Sequence, residues 1–204
     1  MISADEALER LKRGNRDFVT RLRSADTLAG SQAELVQQQE PFAIVLGCSD
    51  ARVPAELVFN QGLGDLFVIR VAGNIVAPSQ IGSIEFAAAM FGTRLVVVLG
   101  HSQCGAIQAT LNELQQPTEN QSPNLASIVK RVRPSVAPLL NTDLRHDHAA
   151  LVAAAVRANV DKSVRQLRRG SAILEDLIEN DGLKVVGAEY AVETGEVAFF
   201  DGAA

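Results

Sequence analysis

The chain has 204 residues, of which 47% are hydrophobic and 21% are charged, and these are the proportions of an ordinary globular protein. Its formal net charge of −5 argues against a nucleic-acid partner, because contact with phosphates needs a clustered basic face. The length suits a single core, so we expect residues 1–204 to form one domain.

The sequence shows no signal for a membrane or for export. The longest candidate apolar run, residues 95–99, is strand-sized and far below the roughly 18 residues that span a bilayer. Residues 1–6 lack the basic start and apolar stretch of a secretory signal. Two cysteines are too few for a disulfide scaffold. We therefore expect a cytoplasmic protein with two thiols and no membrane partner.

Residues 1–38 are predicted to form an N-terminal helical arm. Residues 3–6, Ser-Ala-Asp-Glu, form a capping box, in which a hydroxyl and a carboxylate satisfy backbone donors at a helix start. The apolar side chains that follow at helical spacing are Leu8, Leu11, Phe18, Val19 and Leu22. A second helical segment is predicted around residues 33–38. The arm could contact a second copy of the chain or pack on its own core, and the pattern leaves both open.

Residues 39–114 are predicted to form an α/β core. Residues 42–46, 66–71 and 94–99 are short, nearly uninterrupted apolar runs, which are typical of strands buried on both faces of a parallel sheet. Helical patterns over residues 80–91 and 105–114 follow the second and third strands. This alternation predicts a mainly parallel β-sheet flanked by helices.

The remaining residues, 115–204, are predicted to contribute helices and the last strands. Helical patterns cover residues 125–140 and 147–167. Residues 184–192 and 197–200 are apolar runs separated by a glycine-containing turn, which predicts a hairpin at the edge of the sheet.

The two cysteines each follow one of the predicted strands. Cys48 comes after the first strand, and Cys104 comes after the third, with His101 three residues before it. Loops at the carboxyl ends of neighbouring parallel strands converge, so these side chains should meet. Two thiolates and an imidazole suit Zn²⁺, and three protein ligands leave a fourth tetrahedral position for water. The pattern therefore predicts one catalytic zinc ion per chain.

Asp50 and Arg52 follow Cys48 closely and are predicted to act as a pair beside the metal. Two thiolates cancel the charge of Zn²⁺, so the bound water needs further help to ionise. A carboxylate can accept the hydrogen bond of the resulting hydroxide, and a guanidinium can hold that carboxylate in place. Release of Arg52 would let Asp50 turn onto the metal and close the site.

Simpler interpretations exist for each of these residues alone. Isolated cysteines are often buried filler, an Asp-x-Arg pair is usually a surface ion pair, and Cys48 and Cys104 could form a disulfide. The combination of both strand ends with the acidic and basic pair favours the metal site.

Several segments resemble the β-carbonic anhydrase family. Residues 48–54, Cys-Ser-Asp-Ala-Arg-Val-Pro, are similar to its first signature, with Ala51 in place of the usual Ser. Residues 101–105, His-Ser-Gln-Cys-Gly, are similar to its second, and residues 64–74 and 82–85 also look like family segments. The resemblance implies a Cys-His-Cys zinc, an Asp-Arg dyad, and an obligate homodimer or homotetramer with its N-terminal arms embracing the partner and its active site at the interface.

The resemblance also implies a substrate pocket. In the plant-like, open kind of family member, a glutamine before the first strand and aromatic side chains line the pocket for CO₂; Gln39, Phe67 and Phe86 stand at those places. Phe86 replaces a common Tyr, which removes a hydroxyl and keeps the apolar wall. Ala72 and Gly105, in the similar segments, complete the predicted substrate-binding set.

A second kind of family member is inhibited by bicarbonate bound beside a tryptophan, an arginine and a tyrosine. Arg70 and Tyr190 stand at the arginine and tyrosine positions, but Val45 occupies the tryptophan position and the chain has no Trp. We therefore predict the open kind.

The predicted function is the reversible, zinc-dependent hydration of carbon dioxide to bicarbonate and a proton, in which zinc-bound hydroxide attacks CO₂. Two alternatives remain: hydrolysis of a CO₂ analogue, CS₂ or COS, at the same site, and an inactive interaction protein that keeps zinc for stability. The intact Asp50, Arg52 and Gln39 argue against the second, since a structural metal would not need them.

Overall fold

The computed structural model describes residues 2–24, 39–118 and 122–200. The strands are β1 (Ala43–Gly47), β2 (Leu66–Arg70), β3 (Leu95–His101), β4 (Lys184–Tyr190) and β5 (Val197–Phe200). The α-helices are α1 (Ala4–Ser24), α2 (Ala55–Val58), α3 (Pro78–Met90), α4 (Gly105–Gln115), α5 (Pro123–Val136), α6 (His148–Arg169) and α7 (Ala172–Asn180). The helix predicted around residues 33–38 lies outside the described ranges.

The strands form one five-stranded sheet in the order β2-β1-β3-β4-β5. The first four are parallel, and β5 pairs antiparallel with β4, which confirms the mainly parallel sheet and the terminal hairpin. The order reverses between β1 and β3, since the chain moves from β1 to β2 on one side and then returns past β1 to β3. Loops at such a reversal leave a crevice beyond the carboxyl ends of the two strands.

Burial of the sheet differs between its centre and its edge. Every residue of β1 and β3 is buried, as predicted for strands covered on both faces. Only Leu66 of β2 is buried, and Arg70 is exposed. The predicted burial on both faces is therefore wrong for β2. This strand lies at the edge of the sheet, and its apolar side chains are only partly covered within one chain.

Two apolar layers cover the sheet, and a third cluster lies beyond its carboxyl end. Leu11 of α1 and Phe59 pack with Val45 and Leu99 on one face. Ile84 of α3 and buried residues of α6 and α7 pack on the other face. The third cluster joins both cysteines to buried side chains of α4, α5 and α6, which are Ile107, Leu111, Val132, Val136, Leu151, Val152, Ala155 and Val156. The loops that carry the two cysteines are therefore backed by packed helices.

Helix α1 packs on the core of its own chain. The predicted capping box is present, with Ser3 N donating to Glu6 Oε2 (2.8 Å) and Glu6 N donating to Ser3 Oγ (3.2 Å). Leu8 and Leu11 are buried in the apolar layer that also contains Phe59. The buried Asn15 side chain donates to the carbonyl of Val58 and accepts from the amide of Val197. The first part of the helix is thus fixed to its own domain.

The carboxyl-terminal half also departs from prediction in two places. The predicted helix over residues 125–140 ends as α5 at Val136, and a 3₁₀ turn covers Ala137–Asn141. Helix α7, which was not predicted, begins after Ser171, whose hydroxyl accepts from the amide of Leu174.

Candidate metal centre and active site

The three predicted ligands meet at the crevice between β1 and β3. Cys48 directly follows β1, His101 is the last residue of β3, and Cys104 precedes the first residue of α4. The ligand atoms of the three side chains all lie within 4.8 Å of one another. All three residues are buried, His101 completely.

The separation of the two sulfur atoms fits zinc. Cys48 Sγ lies 3.9 Å from Cys104 Sγ. A tetrahedral ion with Zn–S bonds of about 2.3 Å holds two sulfurs about 3.8 Å apart, whereas a disulfide needs about 2.05 Å. The cysteines are free thiols, so the disulfide alternative is wrong.

His101 presents the nitrogen that a metal would need. Its Nδ1 lies 2.9 Å from the carbonyl oxygen of Ser102, which accepts a hydrogen bond from the protonated nitrogen and leaves Nε2 as the lone-pair donor. Nε2 is buried and has no hydrogen-bond partner among the described residues. An unpartnered buried nitrogen beside two sulfurs is the donor set of a Cys-His-Cys zinc site.

The loop after β2 contributes a backbone donor to Cys48. Gly73 N lies 3.4 Å from Cys48 Sγ, and the Gly73 carbonyl accepts from the buried Asn159 side chain of α6 at 2.8 Å. The Cys104 thiol, then the His101 imidazole and the Gly73 amide, lower the pKa of Cys48, and the Cys48 thiolate raises the pKa of Cys104 in return. The site therefore favours a thiolate at Cys48 before any metal arrives.

Asp50 and Arg52 are joined by three hydrogen bonds. Arg52 Nε donates to Asp50 Oδ1 at 2.9 Å and Nη2 donates to Oδ2 at 2.8 Å, while the Arg52 amide donates to Oδ1 at 3.0 Å. These bonds hold the pKa of Asp50 well below its usual range. Asp50 Oδ2 lies 3.9 Å from the unpartnered His101 Nε2. An ionised carboxylate is thus fixed beside the ligand cluster.

Arg70 fixes the loop that carries Cys48 and Asp50. Its Nε donates to the Cys48 carbonyl at 3.0 Å, and its Nη2 donates to the Asp50 carbonyl at 2.5 Å. The family resemblance places Arg70 only at a position of the bicarbonate-inhibited kind, and the sequence does not predict its contact with this loop.

Two of the predicted substrate residues border the ligand cluster. Ala72 begins the 3₁₀ turn that carries Gly73. Gly105 is the first residue of α4, directly after Cys104, and a Cβ at this position would have no neighbour within 4 Å. The backbone of Gly105 therefore faces open space beside the metal ligands.

Gln39, Phe67 and Phe86 lie elsewhere. Gln39 lines a cleft with Phe42 and Phe91 at the amino ends of β1 and β3, opposite to Cys48. Phe67 pairs with Ile44, which is four residues and about 13 Å of strand before Cys48. Phe67, Phe86 and Phe91 form an aromatic cluster, with ring centres 5.8 to 6.3 Å apart. One chain does not bring these three predicted residues to its own metal ligands.

A family model described as "Carbonic anhydrase" matches residues 43–197, which include Cys48, His101, Cys104 and strands β1 to β4. The chain belongs to the β-carbonic anhydrase family. Membership makes it an enzyme, a carbonate dehydratase.

Relatives cover nearly the whole length of this β-carbonic anhydrase. It is 36% identical over 196 residues to "Carbonic anhydrase 2" of Mycobacterium tuberculosis, covering 96% of this chain and 92% of the relative. It is 38% identical to the carbonic anhydrase of Mycolicibacterium smegmatis, covering 94% and 90% of the two chains.

Solved structures agree with this assignment. The β-carbonic anhydrase CcaA matches with a TM-score of 0.73 at 27% identity, covering 97% of this chain and 86% of that one. A β-carbonic anhydrase of Sordaria macrospora, described as tetrameric, matches with a TM-score of 0.70 at 26% identity, covering 82% of this chain and 84% of that one.

Within the described ranges, no helix combines the length and apolar character needed to cross a bilayer.

Proposed function

We propose that the chain catalyses the reversible hydration of carbon dioxide to bicarbonate and a proton at one zinc ion held by Cys48, His101 and Cys104. The observation that carries the proposal is the convergence of these three buried ligand atoms within 4.8 Å, with the Asp50 carboxylate fixed 3.9 Å from the unpartnered His101 nitrogen. A structural zinc site would instead be closed by a fourth protein ligand.

The protein's own groups set the charge and direction of the reaction. When bound, zinc acidifies a water molecule and supplies a nucleophile near neutral pH. The two thiolates neutralise the ion, so the site needs a further group to orient that nucleophile. Asp50 serves this purpose, because an ionised carboxylate only accepts hydrogen bonds and must take one from the attacking group.

Arg52 keeps Asp50 in this role. Its two side-chain hydrogen bonds occupy both carboxylate oxygens and hold Asp50 ionised, which prevents the carboxylate from turning toward the metal as a fourth ligand. Loss of this pairing would close the site. The Asp50 and Arg52 side chains are therefore the proposed catalytic pair.

We propose that the substrate pocket is completed by a second copy of the chain. Ala72 and Gly105 border the ligand cluster from one chain. Phe67 and Phe86 belong to the partly exposed edge formed by β2 and α3, and Gln39 precedes β1 in a cleft that also reaches the end of α3. Phe86 is 51% exposed in the single chain, and the neighbouring Met90 is 67% exposed. A homodimer or homotetramer would cover this edge, and tetrameric relatives support it.

The open, plant-like kind is also proposed. The Arg70 side chain donates to the carbonyls of Cys48 and Asp50. The completely buried Val45 stands at the tryptophan position of the inhibited kind. Val45 rather than Arg70 carries this proposal, since Nη1 of Arg70 makes neither of these two hydrogen bonds. The two free thiols support the proposal of a cytoplasmic location, where cysteines stay reduced.

The test is CO₂ hydration by stopped flow between about pH 6.5 and 9, with zinc content measured on the same samples. We expect one zinc per chain in the wild type and a kcat about 10- to 100-fold lower in Asp50→Asn with zinc retained. Asp17→Asn, on the exposed face of α1, is the matched control.

Two results would contradict the proposal. A wild-type protein that holds one zinc per chain and hydrates no CO₂ would favour the interaction protein. Release of sulfide from CS₂ without CO₂ hydration would favour the hydrolase.

A further inference from the structure

The two residues between the ligands His101 and Cys104 make a tight reversal. Gln103 adopts a left-handed backbone conformation with φ of 54°, which is rare for a side chain other than glycine. Such a conformation persists only when surrounding contacts fix it. The direction of His101 and Cys104 depends on this turn, because β3 ends on one side of it and α4 begins on the other.

Glu193, in the turn between β4 and β5, contacts both residues of the reversal. The Ser102 hydroxyl donates to Glu193 Oε2 at 2.7 Å, and the Gln103 side-chain amide donates to Oε1 at 2.5 Å. The Ser102 hydroxyl also accepts from the amide of Val192 at 2.9 Å, and the Ser102 amide donates to the Tyr190 carbonyl at 2.9 Å. The Glu193 carboxylate therefore contacts both residues of the connection between the two ligands, beside two backbone groups that contact Ser102 alone.

Ser102 also contacts the imidazole of His101. The carbonyl of Ser102 lies 2.9 Å from His101 Nδ1 and determines which imidazole nitrogen faces the sulfurs. Metal-binding histidines depend on such outer partners for ring orientation and basicity. The same negative charge of Glu193 also acts on Arg52, which holds Asp50. Glu193 therefore contacts the connection between His101 and Cys104 directly, and it acts on Arg52 through its charge.

We propose that Glu193 is a positioning residue of the metal centre, which fixes the Ser102–Gln103 reversal and through it the directions of His101 Nε2 and Cys104 Sγ. The proposal rests on the proposed function only in taking zinc as the ion. A Glu193 that merely closes the β4–β5 hairpin would leave metal affinity unchanged when removed.

The experiment measures zinc affinity by competition with a chromogenic chelator, without turnover. We expect the zinc dissociation constant to rise about 10- to 100-fold in Glu193→Ala. The matched control is Glu196→Gln, because Glu196 is exposed in the same turn and its side chain makes no hydrogen bond or ion pair within the described residues. Its dissociation constant should stay within about twofold of the wild type.

A conservative substitution separates positioning from folding. In Glu193→Gln, the new side-chain oxygen can still accept from the Ser102 hydroxyl, and the Gln103 amide can turn its own oxygen toward the new NH₂, so both contacts persist. We expect the zinc dissociation constant of Glu193→Gln to stay within about fivefold of the wild type, whereas Glu193→Ala loses both contacts. The visible spectrum of the Co²⁺-substituted protein should change in Glu193→Ala and stay close to that of the wild type in Glu193→Gln.

A zinc dissociation constant of Glu193→Ala equal to that of Glu196→Gln, or a Glu193→Gln protein that binds zinc no better than Glu193→Ala, would overturn the proposal. Because zinc binding is measured without CO₂, an inactive wild type would contradict the proposed function and leave this test intact. Should Glu193→Ala fail to fold, Gln103→Ala removes one of the two contacts from the other side and should weaken zinc binding relative to Glu196→Gln. Equal affinity in those two variants would then overturn the proposal.

Discussion

The sulfur atoms of Cys48 and Cys104 lie 3.9 Å apart, although 56 positions separate the two residues in the sequence. This distance exists because β1 and β3 are adjacent and parallel, so their carboxyl ends carry both cysteines to one crevice. The proposed metal centre is therefore a property of the folded sheet.

Replacement of one sulfur should remove the metal. We expect Cys104→Ser to reduce bound zinc from one per chain to a small fraction of that, because a neutral hydroxyl is a much poorer zinc ligand than a thiolate. Metal analysis after dialysis against a chelator measures the change. Full zinc occupancy in this variant would show that Cys104 is not a ligand.

Arg70 should matter for catalysis without contacting the metal ligands' side chains. We expect Arg70→Ala to lower kcat about tenfold and to destabilise the fold by about 1 kcal/mol, because the carbonyls of Cys48 and Asp50 lose a charged donor. The control is Arg133→Ala, an exposed position on α5. Stopped-flow kinetics and urea unfolding provide the measurements. Equal effects in both variants would contradict this role.

A side chain at Gly100, the residue before His101, should lower the stability of the fold. A Cβ there would lie 2.6 Å from Val160 Cγ2, between β3 and α6. We expect Gly100→Ala to reduce the free energy of unfolding by about 1 to 3 kcal/mol. Gly82→Ala is the control, because a Cβ at that helical position has no neighbour within 4 Å and should stabilise by about 0.5 to 1 kcal/mol. Urea unfolding of both proteins tests the sign of each change.

The Asp50–Arg52 pair should stabilise the zinc-free protein in a defined pH range. The pKa of Asp50 is lowered by Arg52, so folding favours the ionised carboxylate. The stabilisation is complete above the unfolded pKa of about 3.9 and is lost as the pH falls through the lower folded value. Wild type should therefore exceed Asp50→Asn in stability at pH 7 and 5, and the difference should shrink by pH 3. A difference that grows on acidification would reverse this assignment.

The exposed aromatic edge should control assembly. We expect Phe86→Ser to shift the protein toward smaller species in sedimentation velocity, because Phe86 with Phe67 and Phe91 forms an apolar cluster beside the unpaired side of β2. Leu125→Ser, at a 59% exposed site on α5, is the control. Unchanged mass in Phe86→Ser would place the interface elsewhere.

The sequence was sufficient for the parts of the site that depend on local pattern. The apolar runs predicted β1 and β3, and residue chemistry at their ends predicted Cys48, His101 and Cys104. Asp50 and Arg52 are two residues apart, so their pairing needed no knowledge of the fold. Helix α7 was missed although Ser171 precedes it as a cap.

Contacts between distant segments could not be predicted in this way. Glu193 meets Ser102 from 91 positions away, and Asn159 meets Gly73 from 86 positions away. Neither residue belongs to a motif, because a hydrogen bond across the fold leaves no spacing signal in the sequence. The location of Gln39 at the opposite end of the sheet likewise follows only from the strand directions.

The adjacency of β1 and β3 has a consequence for how variants can be screened. In a sheet, sliding one strand by a single residue moves each side chain about 3.3 Å and turns it to the other face. Such a slip of β1 would carry the sulfur of Cys48 away from His101, at the end of β3, and Cys104, just before α4. Retained zinc in a library of core variants would thus report that the central strands kept their native alignment, without any structure determination.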